Sequence, residues 1–116
     1  MKLFKEKKIL CFDIDGIICK TKKNLYKKSK PIKKNIIKIN NYYDQGHFIK
    51  IFTSRFMGRS KENVTIAKKK GHLLTKKQLK KWGIKYHKLI MGKPSYDVFI
   101  DDKAFSSLED YLKKNE

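Results

Sequence analysis

Cysteines and long apolar runs are scarce in this chain of 116 residues. Its two cysteines, Cys11 and Cys19, are too few for a disulfide framework and lack metal-binding spacing, which favours a reducing cytoplasm. The longest apolar run, 9–12, is far too short to cross a bilayer, and no apolar stretch near the N-terminus suits a secretion signal. These shortages predict one cytoplasmic domain, 1–116, without a membrane span.

Arginine and acidic residues are also scarce, whereas lysine is abundant. Lys and Arg total 30 against 11 Asp and Glu, so the net charge is +19, yet only Arg55 and Arg59 are arginines. Because base readout and bidentate phosphate binding favour Arg, this charge predicts sequence-independent attraction to polyanions such as nucleic acid. Composition offers a second explanation, since the chain has 14 Ile but two Val and two Ala, the residue balance of A/T-rich codons. Both explanations stay open.

Apolar residues alternate between strand-like and helix-like spacing along the chain. The predicted strands are 7–14, 48–52, 86–91 and 97–100. The predicted helices are 31–46, 60–70, 75–82 and 104–113, with Gly71 interrupting between the second and third. Residues 20–30 are predicted to form a Lys-rich loop or flap. Strands alternating with helices predict an α/β fold: a Rossmann-like, three-layer domain with a parallel sheet and helices on both faces.

Four of the acids lie at or just past the ends of the first and last predicted strands. They are Asp13, Asp15, Asp101 and Asp102. In an open parallel sheet, ligands bind outside the carboxyl ends of the strands. Two carboxylate pairs that converge there would form an oxygen-rich pocket suited to a hard cation such as Mg²⁺.

The Asp13-Ile14-Asp15-Gly16 segment suits phosphoryl chemistry. One carboxylate can attack phosphorus and form an aspartyl-phosphate, while a second can protonate the leaving oxygen and later activate water. Gly16 permits a tight turn over the site. A calcium-binding loop is a poor match, because Ile17 follows and the later acidic ligands are missing. A solvated turn with two chance acids stays an alternative.

Other candidate groups follow the middle strands. Thr53 and Ser54 offer hydroxyl and backbone N–H groups to an anion, although such pairs are also common in turns and helix caps. Lys93, between Gly92 and Pro94 at the end of the third strand, would offset the charge of a transferring phosphoryl group.

These motifs, in this order, resemble the four motifs of the haloacid dehalogenase (HAD) superfamily of phosphotransferases. Segments 30–32, 45–47, 51–55, 91–94 and 99–104 further resemble short phosphatases of capsule or surface-polysaccharide biosynthesis, and the resemblance covers about 9–105. It implies an HAD-like fold and Mg²⁺-dependent hydrolysis of a phosphomonoester through an aspartyl-phosphate. The implied substrate is a sugar phosphate or a phosphorylated glycan precursor.

The resemblance also implies roles for the acids. Asp13 would be the nucleophile and a Mg²⁺ ligand. Asp15 would be the general acid/base and would bind Mg²⁺ through its backbone carbonyl. Asp101 would ligate Mg²⁺, with Asp102 in support.

The resemblance gives the other candidates phosphate-binding roles and has one departure. Thr53 would hold the phosphoryl group with Ser54 and Arg55 nearby, and Lys93 would stabilise its charge. The family usually has Thr after the motif glycine, but Ile17 stands here, which bears on the geometry of the loop more than on the chemistry.

The spacing of the motifs leaves no room for a folded cap domain. Between Asp15 and Thr53 lie 37 residues, and between Thr53 and Lys93 lie 39. An uncapped site suits a large phosphorylated substrate, or a cap lent by a second copy in a homo-oligomer. Two alternatives stay open. One is a phosphatase of polynucleotide ends, and the other is an inactive Lys-rich domain that binds polyanions; a nucleic-acid partner is possible but not favoured.

Overall fold

Within the described part of the chain, the fold has five short strands and three α-helices. The computed structural model describes residues 6–114. In chain order, the elements are β1 (Ile9–Phe12), β2 (Cys19–Lys20), β3 (Lys30–Pro31), α1 (Lys33–Asp44), β4 (Phe48–Thr53), α2 (Val64–Lys81), β5 (Lys88–Met91) and α3 (Leu108–Lys114). Short 3-10 turns cover Tyr26–Lys28 and Gly58–Ser60. No helix in the described 6–114 is long and apolar enough to cross a membrane.

The main sheet is parallel and has the strand order β1-β4-β5. Leu10 pairs with Ile49 in register, and Ile51 pairs with Leu89. Both crossovers step in the same direction across the sheet, and such crossovers are right-handed, so α1 and α2 lie on the same face. The sheet therefore has β1 at one edge and β5 at the other, with all carboxyl ends of the strands together.

The core fills the space between this face and the helices. From the sheet come Phe12, Ile49 and Ile51, and from the helices come Ile36, Ile39, Leu79 and Leu108. Fully burying one such aliphatic side chain contributes about 1.5–3 kcal/mol, which fixes the sheet against α1 and α2.

The opposite face of the sheet carries no such core. Ile9 is 67% exposed and Cys11 is exposed, while their neighbours Phe48 and Lys50 are half-buried. The sequence predicted helices on both faces. In the described part of the chain, the core helices lie on one face.

A single helix replaces the two predicted between residues 60 and 82. Asn63 begins α2, since its side chain accepts the Ile66 N–H at 3.0 Å. Gly71 was expected to interrupt this stretch, but it lies inside the helix. A Cβ there would be 2.1 Å from the Phe56 ring, so the missing side chain lets that ring pack against α2. The predicted break was wrong because the glycine serves packing rather than termination.

The predicted fourth strand, 97–100, is not a strand in the structure. Every residue from Pro94 to Ser106 is exposed, and α3 begins only at Leu108 rather than at residue 104. The connection from β5 is too short to carry this segment, as a parallel strand, to the free edge of the sheet at β1.

The predicted flap, 20–30, is partly ordered by its own pairing. Lys20 pairs with Lys30 in the antiparallel β2–β3 ribbon, and Tyr26 is buried within the flap. The ring of Tyr26 packs on Phe56, with centroids 4.9 Å apart. The flap is therefore anchored to the segment after β4, and no cap domain is inserted in the described chain.

Candidate active site

Three predicted groups meet at the carboxyl ends of the strands. Asp13 follows β1, Thr53 ends β4 and Lys93 follows β5. The Lys93 Nζ lies 3.7 Å from Asp13 Oδ2, and the Lys93 N–H donates to the Thr53 carbonyl at 3.1 Å. The structure thus brings together a carboxylate, an ammonium and a buried threonine from three neighbouring strands.

Asp13 is partly shielded from water. Its side chain is 31% exposed, and its Oδ1 accepts the Ile14 N–H at 2.8 Å. Burial raises the pKa of the Asp13 carboxyl, and the charge of Lys93 opposes that rise. A carboxylate that has lost part of its hydration and keeps an oxygen towards Lys93 is suited to attack an electrophile.

Lys93 is held in place by its surroundings. It is 8% exposed, and its Nζ lies 4.8 Å from the centroid of the Phe99 ring and 5.2 Å from that of Tyr96. The preceding Gly92 has φ +99°, and a Cβ there would be 2.9 Å from Val64 Cγ1. Glycine therefore lets the chain turn against the first residue of α2 and direct Lys93 to the site.

Thr53 is fully buried at the end of β4, and its Oγ1 accepts the Arg55 N–H at 3.0 Å. This bond closes the turn after the strand. Ser54, also predicted to bind phosphate, is half-buried in the same turn.

The Asp15 carboxylate is held by a buried arginine. Arg55 Nε donates to Oδ2 and Nη2 donates to Oδ1, both at 2.9 Å, in a bidentate pair. The Thr21 hydroxyl of the flap donates to the same Oδ1. Asp15 therefore points to Arg55 and the flap, and it has partners on both oxygens.

The resemblance placed Arg55 near the phosphoryl group, but its contact with Asp15 was not expected from the sequence. Arg55 is 1% exposed, and beyond Asp15 it donates to Gln78 and Thr75 of α2 and to Ser29 of the flap. It thus joins the β1 loop, the flap and α2. Its rarity was the available signal, because it is one of only two arginines among 30 cations and directly follows Thr53-Ser54.

The loop after Asp13 closes tightly despite Ile17. The N–H groups of Ile17, Ile18 and Cys19 all donate to the Ile14 carbonyl, at 3.1, 2.8 and 3.2 Å. Gly16 supplies the positive φ, +96°. The Ile17 side chain packs against the main core, so the residue that departs from the family pattern is accommodated as a packing residue.

Asp101 and Asp102 lie in the exposed segment that follows Lys93, outside the buried groups of this site. Asp101 is exposed, and hydrogen bonds from the Lys103 N–H and from Asp102 lower its pKa. Among residues 6–114, no group of three or more His, Cys, Asp or Glu side chains is close enough to hold a metal ion. The expected convergence of the two acidic pairs is therefore not found. Asp15 is paired with Arg55, so within residues 6–114 Asp13 is the only carboxylate of the predicted set placed beside Lys93, and a single carboxylate does not fit Mg²⁺.

Comparisons with known proteins identify the fold. No family model matches the chain, and no curated protein matches it. The chain is similar to a solved structure, the crystal structure of a target protein from Vibrio cholerae, at 26% sequence identity and a TM-score of 0.79. The match covers 96% of this chain and 100% of that one. The predicted fold class, an α/β domain of Rossmann-like form with a parallel sheet and no cap, is confirmed.

Proposed function

We propose that this protein is a phosphomonoester hydrolase with Asp13 as the nucleophile. The observation that carries the proposal is the 3.7 Å approach of the buried Lys93 ammonium to the Asp13 carboxylate, next to Thr53. A phosphate ester at this edge would meet a nucleophile, a fixed cation and a hydroxyl donor together. Such a set suits phosphoryl transfer, in which positioning and charge stabilisation dominate.

The chemistry would proceed in two displacements. An Asp13 oxygen attacks phosphorus, and the bond to the ester oxygen breaks with its electron pair going to that oxygen. Asp15 passes a proton from solvent to the leaving oxygen and returns to the carboxylate, which then accepts a proton from the water that attacks the aspartyl-phosphate and returns it to solvent. This water releases inorganic phosphate and regenerates the Asp13 carboxylate. Lys93 and Thr53 hold the phosphoryl oxygens throughout.

Arg55 would act as a positioning residue for Asp15. Its two bonds fix the plane of the Asp15 carboxylate, whereas the Thr21 hydroxyl can exchange partners, since it is also bonded to Ser29. Loss of the Thr21 bond would free Oδ1 for a leaving oxygen. The predicted Mg²⁺ enters no step here, because the carboxylates of one chain, as arranged, do not fit it.

The open site and the flap support a sugar phosphate or a phosphorylated glycan precursor as substrate. A cavity of about 260 Å³ lies beneath the flap, between the Tyr26 and Phe56 rings and the cation Arg59. It is separated from Asp15 by Arg55, whose Cζ lies 4.7 Å from the centroid of the Tyr26 ring. Aromatic faces with a nearby cation suit a sugar that carries an anionic group.

The free thiols of Cys11 and Cys19 support the predicted cytoplasmic location.

The exposed lysines of the flap favour one competing substrate, the phosphorylated end of a polynucleotide. Lys20, Lys22, Lys23, Lys27, Lys28 and Lys30 are all exposed. They would attract a polyanion without reading its sequence.

The test is hydrolysis of an aryl phosphate, with and without Mg²⁺, by the wild type, Asp13→Asn and the control Asp44→Asn. Asp44 is an exposed acid in a surface ion pair with Lys85, so it matches the change in charge without touching the site. We expect Asp13→Asn to lose about 10³-fold or more in rate, and Asp44→Asn to keep the wild-type rate. A wild type without activity, or one unaffected by Asp13→Asn, would overturn the proposal.

A substrate panel separates the alternatives. Faster hydrolysis of sugar phosphates than of oligonucleotides with a 3′-phosphate, at physiological salt, is the expected result, and the reverse order would favour the polynucleotide substrate. Salt-sensitive binding of nucleic acid with zero turnover would instead indicate an inactive polyanion-binding domain.

A further inference from the structure

The segment 94–106 is unusual for its exposure. It contains three consecutive apolar residues, Val98, Phe99 and Ile100, which are 72%, 45% and 91% exposed. These residue types favour strands, and they immediately precede the Asp101-Asp102 pair. An exposed run of this kind marks a surface that is covered by a partner.

A matching free edge lies at β1. This strand is at the end of the sheet and pairs with β4 on one side only, as far as residues 6–114 are concerned. Ile9 and Cys11 are exposed along it. An unpaired edge that carries exposed apolar residues is a template for another strand.

Pairing of the exposed segment with the free edge of β1 would also bring Asp101 to the active site. If the segment joined β1 in parallel with Asp101 level with Asp13, Phe99 would lie beside Cys11 and Val98 beside Leu10. The Asp101 carboxylate would then lie at the carboxyl end of the sheet, next to Asp13. This arrangement supplies the carboxylate that the single chain lacks.

The same chain cannot supply this strand. Val98 would lie level with Leu10, four residues of strand below Met91, which is about 13 Å of rise. Three strand spacings, about 14 Å, separate β5 from a position beyond β1, so the direct distance is about 19 Å. The Lys93 N–H bonds to the Thr53 carbonyl, which holds Lys93 beside β4 at the level of Met91 or above, so at least the same distance of about 19 Å must be covered from Lys93. The five residues from Lys93 to Val98 span at most about 18 Å.

The direct line also runs through β4 and β1, so a real path is longer. Parallel strands are normally joined by a crossover of about a dozen residues or more. An antiparallel strand beside β1 is within reach of the same chain, but it would carry Asp101 to the opposite end of the sheet, away from Asp13. Only a second copy can add the segment in the parallel direction.

We propose that residues 98–102 of a second copy form a fourth parallel strand on β1, so that Asp101 of one copy lies next to Asp13 of the other and adds a second carboxylate to that site. The exchange is reciprocal in a two-fold dimer, the commonest closed assembly. α3 follows its strand and packs Leu108 and Tyr111 against the core of the partner, as it does within one chain here. The role of Asp101 beside Asp13 rests on the proposed function, whereas the exchange of strands does not.

Disulfide trapping tests the exchange without any activity assay. Phe99→Cys places a thiol beside the native Cys11 in the proposed register, and Cα atoms of paired strands are close enough for a disulfide. Both positions are exposed, so the substitution should not disturb folding. Mild oxidation at micromolar concentration is expected to convert most of the protein to a covalent dimer on a non-reducing gel.

Two controls define the specificity of trapping. Phe99→Cys combined with Cys11→Ser should give no Cys11-dependent dimer, and Ile37→Cys, at an exposed apolar position on α1, should stay uncoupled to Cys11. Free thiols in the Phe99→Cys variant, or a disulfide within one chain between Cys11 and the introduced thiol, would overturn the proposal.

Complementation tests the shared site. Asp13→Asn and Asp101→Asn chains, unfolded and refolded together in equal amounts, form mixed dimers in which one of two sites is intact. With random pairing, recovery of about one quarter of wild-type activity is expected, although each variant is inactive alone. A mixture as inactive as its components, beside an active wild type, would show that the site is not shared. An inactive wild type would refute the proposed function while the trapping result still decides the exchange.

Discussion

Replacing Arg55 with leucine should destabilise the fold by about 2–4 kcal/mol. The guanidinium is almost completely buried and holds Asp15, Gln78, Thr75 and Ser29 at once. Its removal leaves the Asp15 carboxylate without its main partner and several polar groups of α2 and the flap without a donor. Loss of one member of a fully buried ion pair costs about 3–5 kcal/mol. The Asp15 side chain is 28% exposed, so water replaces part of the loss and the lower range applies.

A double-mutant cycle isolates the Arg55–Asp15 term. Asp15→Asn removes the charge that Arg55→Leu leaves uncompensated, so the double variant should be more stable than the sum of the single effects implies. We expect a coupling free energy of about 1–3 kcal/mol between the two positions. The assay is urea unfolding of all four proteins, with the slope checked to be constant so that the midpoints report stability.

Arg59 is the matched control. It is the only other arginine, it is exposed, and it lies over the Tyr26 and Phe56 rings while donating to the Asn24 carbonyl. Arg59→Leu should cost about 0.5–1 kcal/mol. If Arg55→Leu is no more destabilising than Arg59→Leu, or if the cycle is additive within about 0.5 kcal/mol, the hydrogen bonds of buried Arg55 do not stabilise the fold as expected.

Two further predictions concern packing and pH. Gly71→Ala should destabilise the protein by about 1–3 kcal/mol, because its Cβ would overlap the Phe56 ring. Gly58→Ala, where a Cβ meets nothing within 4 Å, should be near neutral in the same thermal or urea unfolding assay. Equal effects of the two substitutions would contradict the packing argument. Because burial raises the folded-state pKa of Asp13, wild-type stability should fall relative to Asp13→Asn as the pH rises from the ordinary Asp pKa through the raised one, and then level off. The measurement is the free energy of unfolding of both proteins across this pH window. A difference between them that stays constant, or that changes in the opposite direction, would contradict the prediction.

Much of the candidate site was predictable because it is encoded locally. Asp13, Thr53 and Lys93 each follow a strand, and parallel strands bring their carboxyl ends to one edge, so their proximity follows from the strand pattern. The role of Arg55 was not predictable in this way. It meets Asp15 from 40 residues away, and nothing in either local sequence specifies that contact.

Contacts with distant residues, which local sequence does not specify, also explain the two errors in secondary structure. Gly71 normally disfavours a helix, yet the Phe56 ring needs the space that it leaves. Residues 98–100 have strand-forming side chains, yet a strand forms only where a neighbouring edge can be reached. Local propensity was outweighed in both cases by a contact, or by a missing contact, with a distant part of the chain.

The sequence by itself determined that this is an α/β protein with acids, a threonine and a lysine at strand ends, because strand periodicity and residue type are local properties. Tertiary structure alone decided that Asp15 pairs with a buried arginine, that the core helices of residues 6–114 lie on one face of the sheet, and that Asp101 lies in an exposed segment. These outcomes depend on how far short connections reach and on which side chains fill the shared space. Both are properties of the packed chain, and no single segment specifies them.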